Sequence, residues 1–194
     1  MSFCRGVPFF AGLGGMLAAG WLVFPAALYR REPQPAQFSH RVHQSKAGLA
    51  CADCHAFRAD GSFAGVPRLE TCAACHAEPA GKTPEEKAFV EGFVKPGREV
   101  PWRVYSRQPV NAWFSHARHV KLGGLKCEEC HGAVGASERL KDYQENRISG
   151  YSRDIWGPRM TRIGLRPGEG MKMSDCEDCH RRHGVTTGCL SCHR

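Results

Sequence analysis

"FSHRVHQSKAGLACADCH", residues 38–55, places His40 and His43 one helical turn apart, then Cys51 and Cys54, then His55. In a helical turn, positions i, i+3 and i+4 share a face. Both thiols and the imidazole of CxxCH can therefore address one flat ligand together. Two thioethers to the vinyl groups of a porphyrin, with the histidine on its iron, are the chemistry this spacing serves.

The pentapeptide recurs, and the copies are numbered here as sites I to V in chain order. They are Cys51, Cys54 and His55; Cys72, Cys75 and His76; Cys127, Cys130 and His131; Cys176, Cys179 and His180; and Cys189, Cys192 and His193. Together they take ten of the 11 cysteines. Zinc ribbons pair CxxC units into closed four-ligand sites, so five units leave one over, and zinc gives no reason for a histidine after every pair. A disulfide framework demands neither the fixed spacing nor the histidine. The reading is five covalently bound haems c.

The chain has 10 histidines. Five follow CxxC as proximal ligands, leaving His40, His43, His116, His119 and His183 for the distal positions. Every iron can then be bis-histidine, which favours low reduction potentials because an axial methionine raises them. Six-coordinate iron transfers electrons and leaves little room for substrate. His183 sits just past His180, and Met171 and Met173 in "GMKMSDCEDCH" compete with it for the fifth distal position.

The opening stretch has a twin. Phe114, Ser115, His116 and His119 precede Cys127 as Phe38, Ser39, His40 and His43 precede Cys51, with Gly-Leu at 48–49 and again at 124–125. This is an internal repeat. Two histidines three apart share a face yet diverge enough to serve two irons, so each FSHxxH turn can staple neighbouring haems together.

Near the N-terminus, Gly6 to Tyr29 is an uncharged run of 24 residues, about 36 Å as helix at ~1.5 Å per residue and enough to cross a bilayer. It exceeds the apolar stretch of a cleaved signal peptide, about 7 to 15 residues, and reads as a retained anchor. Ala11, Gly15 and Ala19 form a small-residue row on it, either a helix-packing face or ordinary Gly/Ala richness. Arg5 on one side and Arg30 with Arg31 on the other leave orientation by charge open. Covalent haem attachment takes place outside the bacterial cytoplasmic membrane, so the N-terminus is expected inside and the haem domain in the periplasm.

With 22 Gly, 12 Pro and a mean hydropathy of −0.41, the chain offers little aliphatic core. The porphyrins must supply much of it, within a mostly α fold of short helices and extensive irregular loops. The expected organisation is an anchor over residues 1–30 and a haem domain over 31–194. Within that domain, 31–37 form a Pro-rich linker, 38–76 a two-haem unit and 114–194 a three-haem unit. In the connector, Thr83, Pro84 and Glu86 make a capping-box pattern, with Phe89, Val90 and Phe93 facing a haem or a partner.

Between Gly132 and Asp175, Arg139, Lys141, Arg147, Arg153, Arg159, Arg162 and Arg166 alternate with Tyr151 and Trp156, read as a subunit-docking surface rather than a nucleic-acid site. The formal charge of +8 falls to roughly +3 with five ferric haems and to roughly −2 on full reduction, once two propionates per haem are counted. The basic excess is largely internal compensation and says little about an acidic partner.

The FxHxxH elements ahead of CxxCH resemble the class III cytochromes c. That resemblance implies that His40 serves site I and His116 serves site III, with His43 and His119 reaching other haems. The anchor, "VPWRVYSRQPVNAWFSHARHV", "CEECHG", "YSRDIWG" and "MSDCEDCHRRHGVTTGCLSCHR" further resemble the multihaem cytochrome subunits of menaquinone reductase complexes and of the related alternative complex III. The implied partners are an iron–sulfur subunit, a molybdopterin-oxidoreductase-like subunit, a polytopic quinone-binding membrane subunit and a soluble periplasmic tetrahaem cytochrome c3. Cys4 lies outside every motif; the resemblance leaves room for a sixth, nonstandard haem there, and a free thiol or acylation site is the plainer reading. Rival functions are a stand-alone quinol dehydrogenase, which would bind quinol itself, and a catalytic multihaem reductase, which would need an iron with an open position.

Overall fold

The computed structural model describes residues 3–104, 111–148 and 171–193. The side chain of Cys4 and the residues Tyr151, Arg153, Trp156, Arg159, Arg162 and Arg166 lie outside that description.

Helix α1 (Phe3–Ala18) passes through a π-turn (Ala19–Val23) into α2 (Phe24–Leu28). The widened turn has a local cause. Pro25, which follows the turn, carries no N–H to continue the helical ladder, and Phe24 N donates to Ala19 O instead of the residue nearer to it. Phe9, Phe10, Trp21 and Leu22 are exposed along the rod. By length and composition, Gly6–Val23 can cross a membrane.

The helix stops at Leu28, one residue short of the apolar run, because Tyr29 opens strand β1 (Tyr29–Glu32). This strand pairs antiparallel with β2 (Tyr143–Asn146), Tyr29 opposite Asn146 and Glu32 opposite Tyr143. Arg30 bridges Glu32 and Glu145 at 2.8 and 2.9 Å. Arg147 donates from its backbone N to Leu28 O at 2.9 Å and from Nε to Ala27 O at 3.0 Å. Those carbonyls end the helix without intrahelical partners, and a basic side chain there also complements the helix dipole. The strand β2 comes from the long stretch after site III that carries no ligand motif.

Residues 31–37 are pinned rather than loose. Buried Gln34 donates to Arg103 O at 2.9 Å and Lys141 O at 3.4 Å, and accepts from Arg103 N at 3.1 Å. Gln37 accepts from Leu140 N at 3.2 Å. A carboxamide both donates and accepts, so two glutamines tie a Pro-rich segment to two distant backbones.

The remaining elements are α3 (His40–Ser45), α4 (Cys51–Cys54), α5 (Leu69–Ala73), α6 (Pro84–Phe89) with a π-turn over Val90–Val94, a further π-turn over Ala117–Leu122, α7 (Cys127–His131), a 3-10 turn over Val134–Ala136, α8 (Met173–Arg182) and a 3-10 turn over Cys189–Ser191. Helices this short are marginal without tertiary support. Among the described residues the buried hydrophobic side chains are Tyr29, Leu69, Val90 and Val100, too few for a chain of 194 residues to stand on. Thr83 caps α6 by accepting from Glu86 N at 3.2 Å, but the box does not close. The Glu86 carboxylate reaches past Thr83 to Ala80 N and Gly81 N, both at 2.8 Å.

Replacing Gln34 by Ala strands the Arg103 N–H and two carbonyls, a loss of about 1–3 kcal/mol. We expect a lower melting temperature of the detergent-solubilised haem protein with an unchanged haem content, read by the Soret band against protein mass.

Candidate haem sites

Each FSHxxH turn is built the same way. Ser39 Oγ accepts from Val42 N at 3.2 Å and Ser115 Oγ from Arg118 N at 3.3 Å, the N-cap bond that starts a helix. The serine carbonyls then take the second histidine: His43 Nδ1 donates to Ser39 O at 2.8 Å and His119 Nδ1 to Ser115 O at 2.9 Å. A carbonyl only accepts, so the proton is on Nδ1 and Nε2 keeps its lone pair for a metal. Phe38 stacks on His43 at 4.2 Å and meets His40 edge-on at 4.8 Å. Phe114 repeats this at 4.5 Å on His119 and 4.9 Å from His116. Gly48 and Gly124, at φ 69° and 67°, then turn the chain back toward CxxCH through conformations that favour glycine.

The structure brings histidines from distant parts of the chain close together. Ring centroids lie 6.0 Å apart for His43 and His76, 6.4 Å for His116 and His131, and 6.0 Å for His119 and His180. Two imidazoles bound through Nε2 to opposite sides of one metal at ~2.0–2.1 Å per bond put their centroids about 6.3 Å apart. Burial first, then the His55 ring, then His43 hold the imidazole of His40 below the usual range. Burial, followed by His131 and His119, does the same to His116, and burial, followed by His55, to His131. Neutral imidazole is the form that ligates.

The CxxCH turns keep their thiols free and on one side. All ten motif cysteines are unpaired. Asp53 accepts from Ala50 N at 2.7 Å and Glu129 from Lys126 N at 2.8 Å, so a carboxylate in the CxxC spacer closes two of the turns from within; at site IV the residue just ahead of the motif, Asp175, accepts from Lys172 N at 2.9 Å. His55 Nδ1 donates to Gly65 O at 2.8 Å and His193 Nδ1 to Asn111 O at 3.2 Å.

Neighbouring sites also touch. Phe63 stacks on His116 at 4.1 Å and lies parallel to His55 at 6.5 Å, so one ring spans sites I and III. Burial first, then the Cys127 thiol bonded to it, pushes the Cys51 thiol up. After burial, Cys54 acts on Cys72 and Cys179 on Cys130, while Cys130, then Asp175, then Cys192 act on Cys176. Trp113 N donates to Cys192 O at 2.7 Å. His183 is exposed at the C-terminal end of α8 and makes no ring contact among the described residues; Met171 is half-buried and Met173 exposed.

Residues 24–98 match the class III cytochrome c family, and residues 112–194 match cytochrome c7 and related cytochromes c. Over 98% of its length the chain is 41% identical to the menaquinone reductase multihaem cytochrome c subunit of Nitratidesulfovibrio vulgaris, of which the match covers 91%. The chain belongs to this family of multihaem cytochromes c. It is a mostly α, class III type cytochrome with covalently bound haem c and an electron-transfer role.

The residues present fit that group. CxxCH supplies two thiols and an imidazole on one side, a second imidazole faces the first at the width of one coordinated iron, and a nearly coreless polypeptide needs a large apolar insert. The sequence reading missed Phe63, which no motif marks. It also missed the contact of Glu86 with His76, at 2.9 Å from Oε1 to Nδ1, because Glu86 reads there as half of a capping box.

Replacing both Cys176 and Cys179 by Ser removes both thioether anchors of site IV. Intact mass of the cytochrome should fall by one haem, with haem-stained protein still present on a denaturing gel.

Proposed function

We propose that this cytochrome is the electron-relay subunit of a menaquinone reductase complex, with five haems c on the outer side of the cytoplasmic membrane and its N-terminal helix as anchor. The observation that carries the reading is the opposition of histidines at the spacing of a shared iron. It supports His43 with His76 at site II, His116 with His131 at site III and His119 with His180 at site IV; His40 with His55 at site I follows from the class III resemblance and from the influence of the His55 ring on His40. At site V, His193 is proximal and His183, Met171 and Met173 are the candidates opposite it.

Bound haem supplies one-electron Fe(III)/Fe(II) chemistry. The chain's own residues set where each site stands and which sites adjoin. Helix α3 carries His40 and His43, so sites I and II share a helix. Phe63 and the Cys51–Cys127 contact join I to III. The second FSHxxH turn joins III to IV, and the Cys176–Cys192 approach joins IV to V. The order supported is II, I, III, IV, V, a line rather than a cluster. Every site assigned a pair has both axial positions taken by the protein, which speaks against a reductase needing open iron.

The partners in this reading are an iron–sulfur subunit, a molybdopterin-oxidoreductase-like subunit and a polytopic quinone-binding membrane subunit, fed by a soluble tetrahaem cytochrome c3. Affinity purification of the tagged chain from native membranes in mild detergent should recover these subunits with menaquinone-analogue reduction by reduced cytochrome c3. Recovery of the chain alone, oxidising quinol by itself, would instead make it a stand-alone quinol dehydrogenase. His43→Ala and His119→Ala should each convert one low-spin haem to high-spin by electron paramagnetic resonance, and the double variant two. An entirely low-spin spectrum in either single variant defeats the pairing.

A further inference from the structure

His76 differs from His40, His43, His55, His119 and His193 in what stands behind it. Nδ1 of His43, His119, His55 and His193 meets a backbone carbonyl, and that of His40 lies 3.0 Å from the Ser137 hydroxyl. His76 Nδ1 instead lies 2.9 Å from Oε1 of Glu86. Both side chains are largely shielded, at 21% and 15% exposure. The N–H does not point straight along the line to the oxygen, and Nδ1 has no better-aligned partner. The contact is therefore a charge held against the ring rather than an aligned hydrogen bond.

The neighbouring carboxylates are each matched by a cation. Lys95 pairs with Glu78 at 3.2 Å and Glu91 at 2.9 Å, and Arg139 approaches Glu85 at 3.8 Å. Among the described residues no lysine or arginine pairs with Glu86. Its oxygens are held by Ala80 N and Gly81 N, and the one ionisable cation-forming group at the carboxylate is His76. Phe89, on the same helix as Glu86, presents its ring edge-on to His76 at 6.3 Å and screens the pair from water. The loop bonds fix the carboxylate, so it does not swing away to solvent.

We propose that Glu86 is a positioning residue for His76 that makes site II the lowest-potential centre of the four with assigned histidine pairs. A carboxylate behind a ligating imidazole raises the ligand's electron donation, and negative charge near the iron stabilises Fe(III) over Fe(II). Both effects lower the reduction potential, and among the described residues no carboxylate pairs with an imidazole of the other three pairs. Site II also stands at one end of the line of sites, so the bias is placed at an end of the relay. The proposal rests on the histidine pairing proposed above.

The test is potentiometric titration of the purified, haem-loaded complex, followed by optical and electron paramagnetic resonance spectra, for wild type, Glu86→Gln, Glu86→Asp and Glu91→Gln. Glu86→Gln should shift the lowest step upward with haem content unchanged, and Glu86→Asp should shift it less. Glu91→Gln, which removes the same charge from the next turn, should leave that step in place. The step that moves must be the one lost from the low-spin set in His43→Ala. Unchanged steps in Glu86→Gln, movement of a different step, an equal shift in Glu91→Gln, or loss of haem in both Glu86 variants would each overturn the role. A His43→Ala protein that stays fully low-spin would instead refute the pairing, whatever Glu86 does.

Discussion

Two imidazoles held close together, each half out of water, are a poor bargain for a polypeptide on its own. Burial lowers the pKa of His40, His116 and His131, so the rings sit neutral with Nε2 lone pairs that need a partner. A coordinated iron would resolve this: it would take up lone pairs of this kind, and its porphyrin would bring the apolar surface that Leu69, Val90 and Val100 are too few to supply. Folding and haem attachment are then linked, as they are in small metal-dependent domains. The fold exists to keep pairs of rings at that separation, and its short helices have little other reason to persist.

The FSHxxH turn meets this demand with few residues. Serine caps the helix with its hydroxyl and sets the tautomer of the second histidine with its carbonyl, while phenylalanine fixes the tilt of both rings. The agreement between the two copies, 4.2 against 4.5 Å for the stacked ring and 4.8 against 4.9 Å for the edge contact, shows that these residues determine the geometry locally. Because the two histidines leave the turn in different directions, one turn ties two sites together. A rigid link between neighbouring centres matters for a relay, since electron tunnelling weakens exponentially with distance.

This explains what was legible in the sequence. CxxCH and FSHxxH obey the i, i+3, i+4 rule, so their internal geometry follows from spacing alone. The class III resemblance and the apolar helix could be read for the same reason. Which ring faces His43 could not, because His76 comes to it over a path through the Gly61 and Gly65 turns that no periodicity encodes. Phe63 falls in that path, and its contact with His116 joins segments more than fifty residues apart. Gln34 and Glu86 were misread because local propensity assigns them to a linker and a cap. Their carboxamide and carboxylate reach instead to backbone groups and a ring that only the tertiary fold brings near.

The same pinning governs how the haem domain meets the membrane. A free Pro-rich tether would let the domain tumble on its anchor. Here Gln34 binds Arg103 and Lys141, and Gln37 binds Leu140. Residue 103 lies between the two repeats and residues 140–141 follow site III, so the exit of the membrane helix is tied on both sides of the second FSHxxH turn. Arg147 closes the loop by holding the last carbonyls of that helix. Any rotation of the anchor must then break β1–β2 pairing, the Arg30 ion pairs and a buried carboxamide together. The apolar helix is thus tied to the segments on both sides of the second FSHxxH turn rather than joined to them by a free tether.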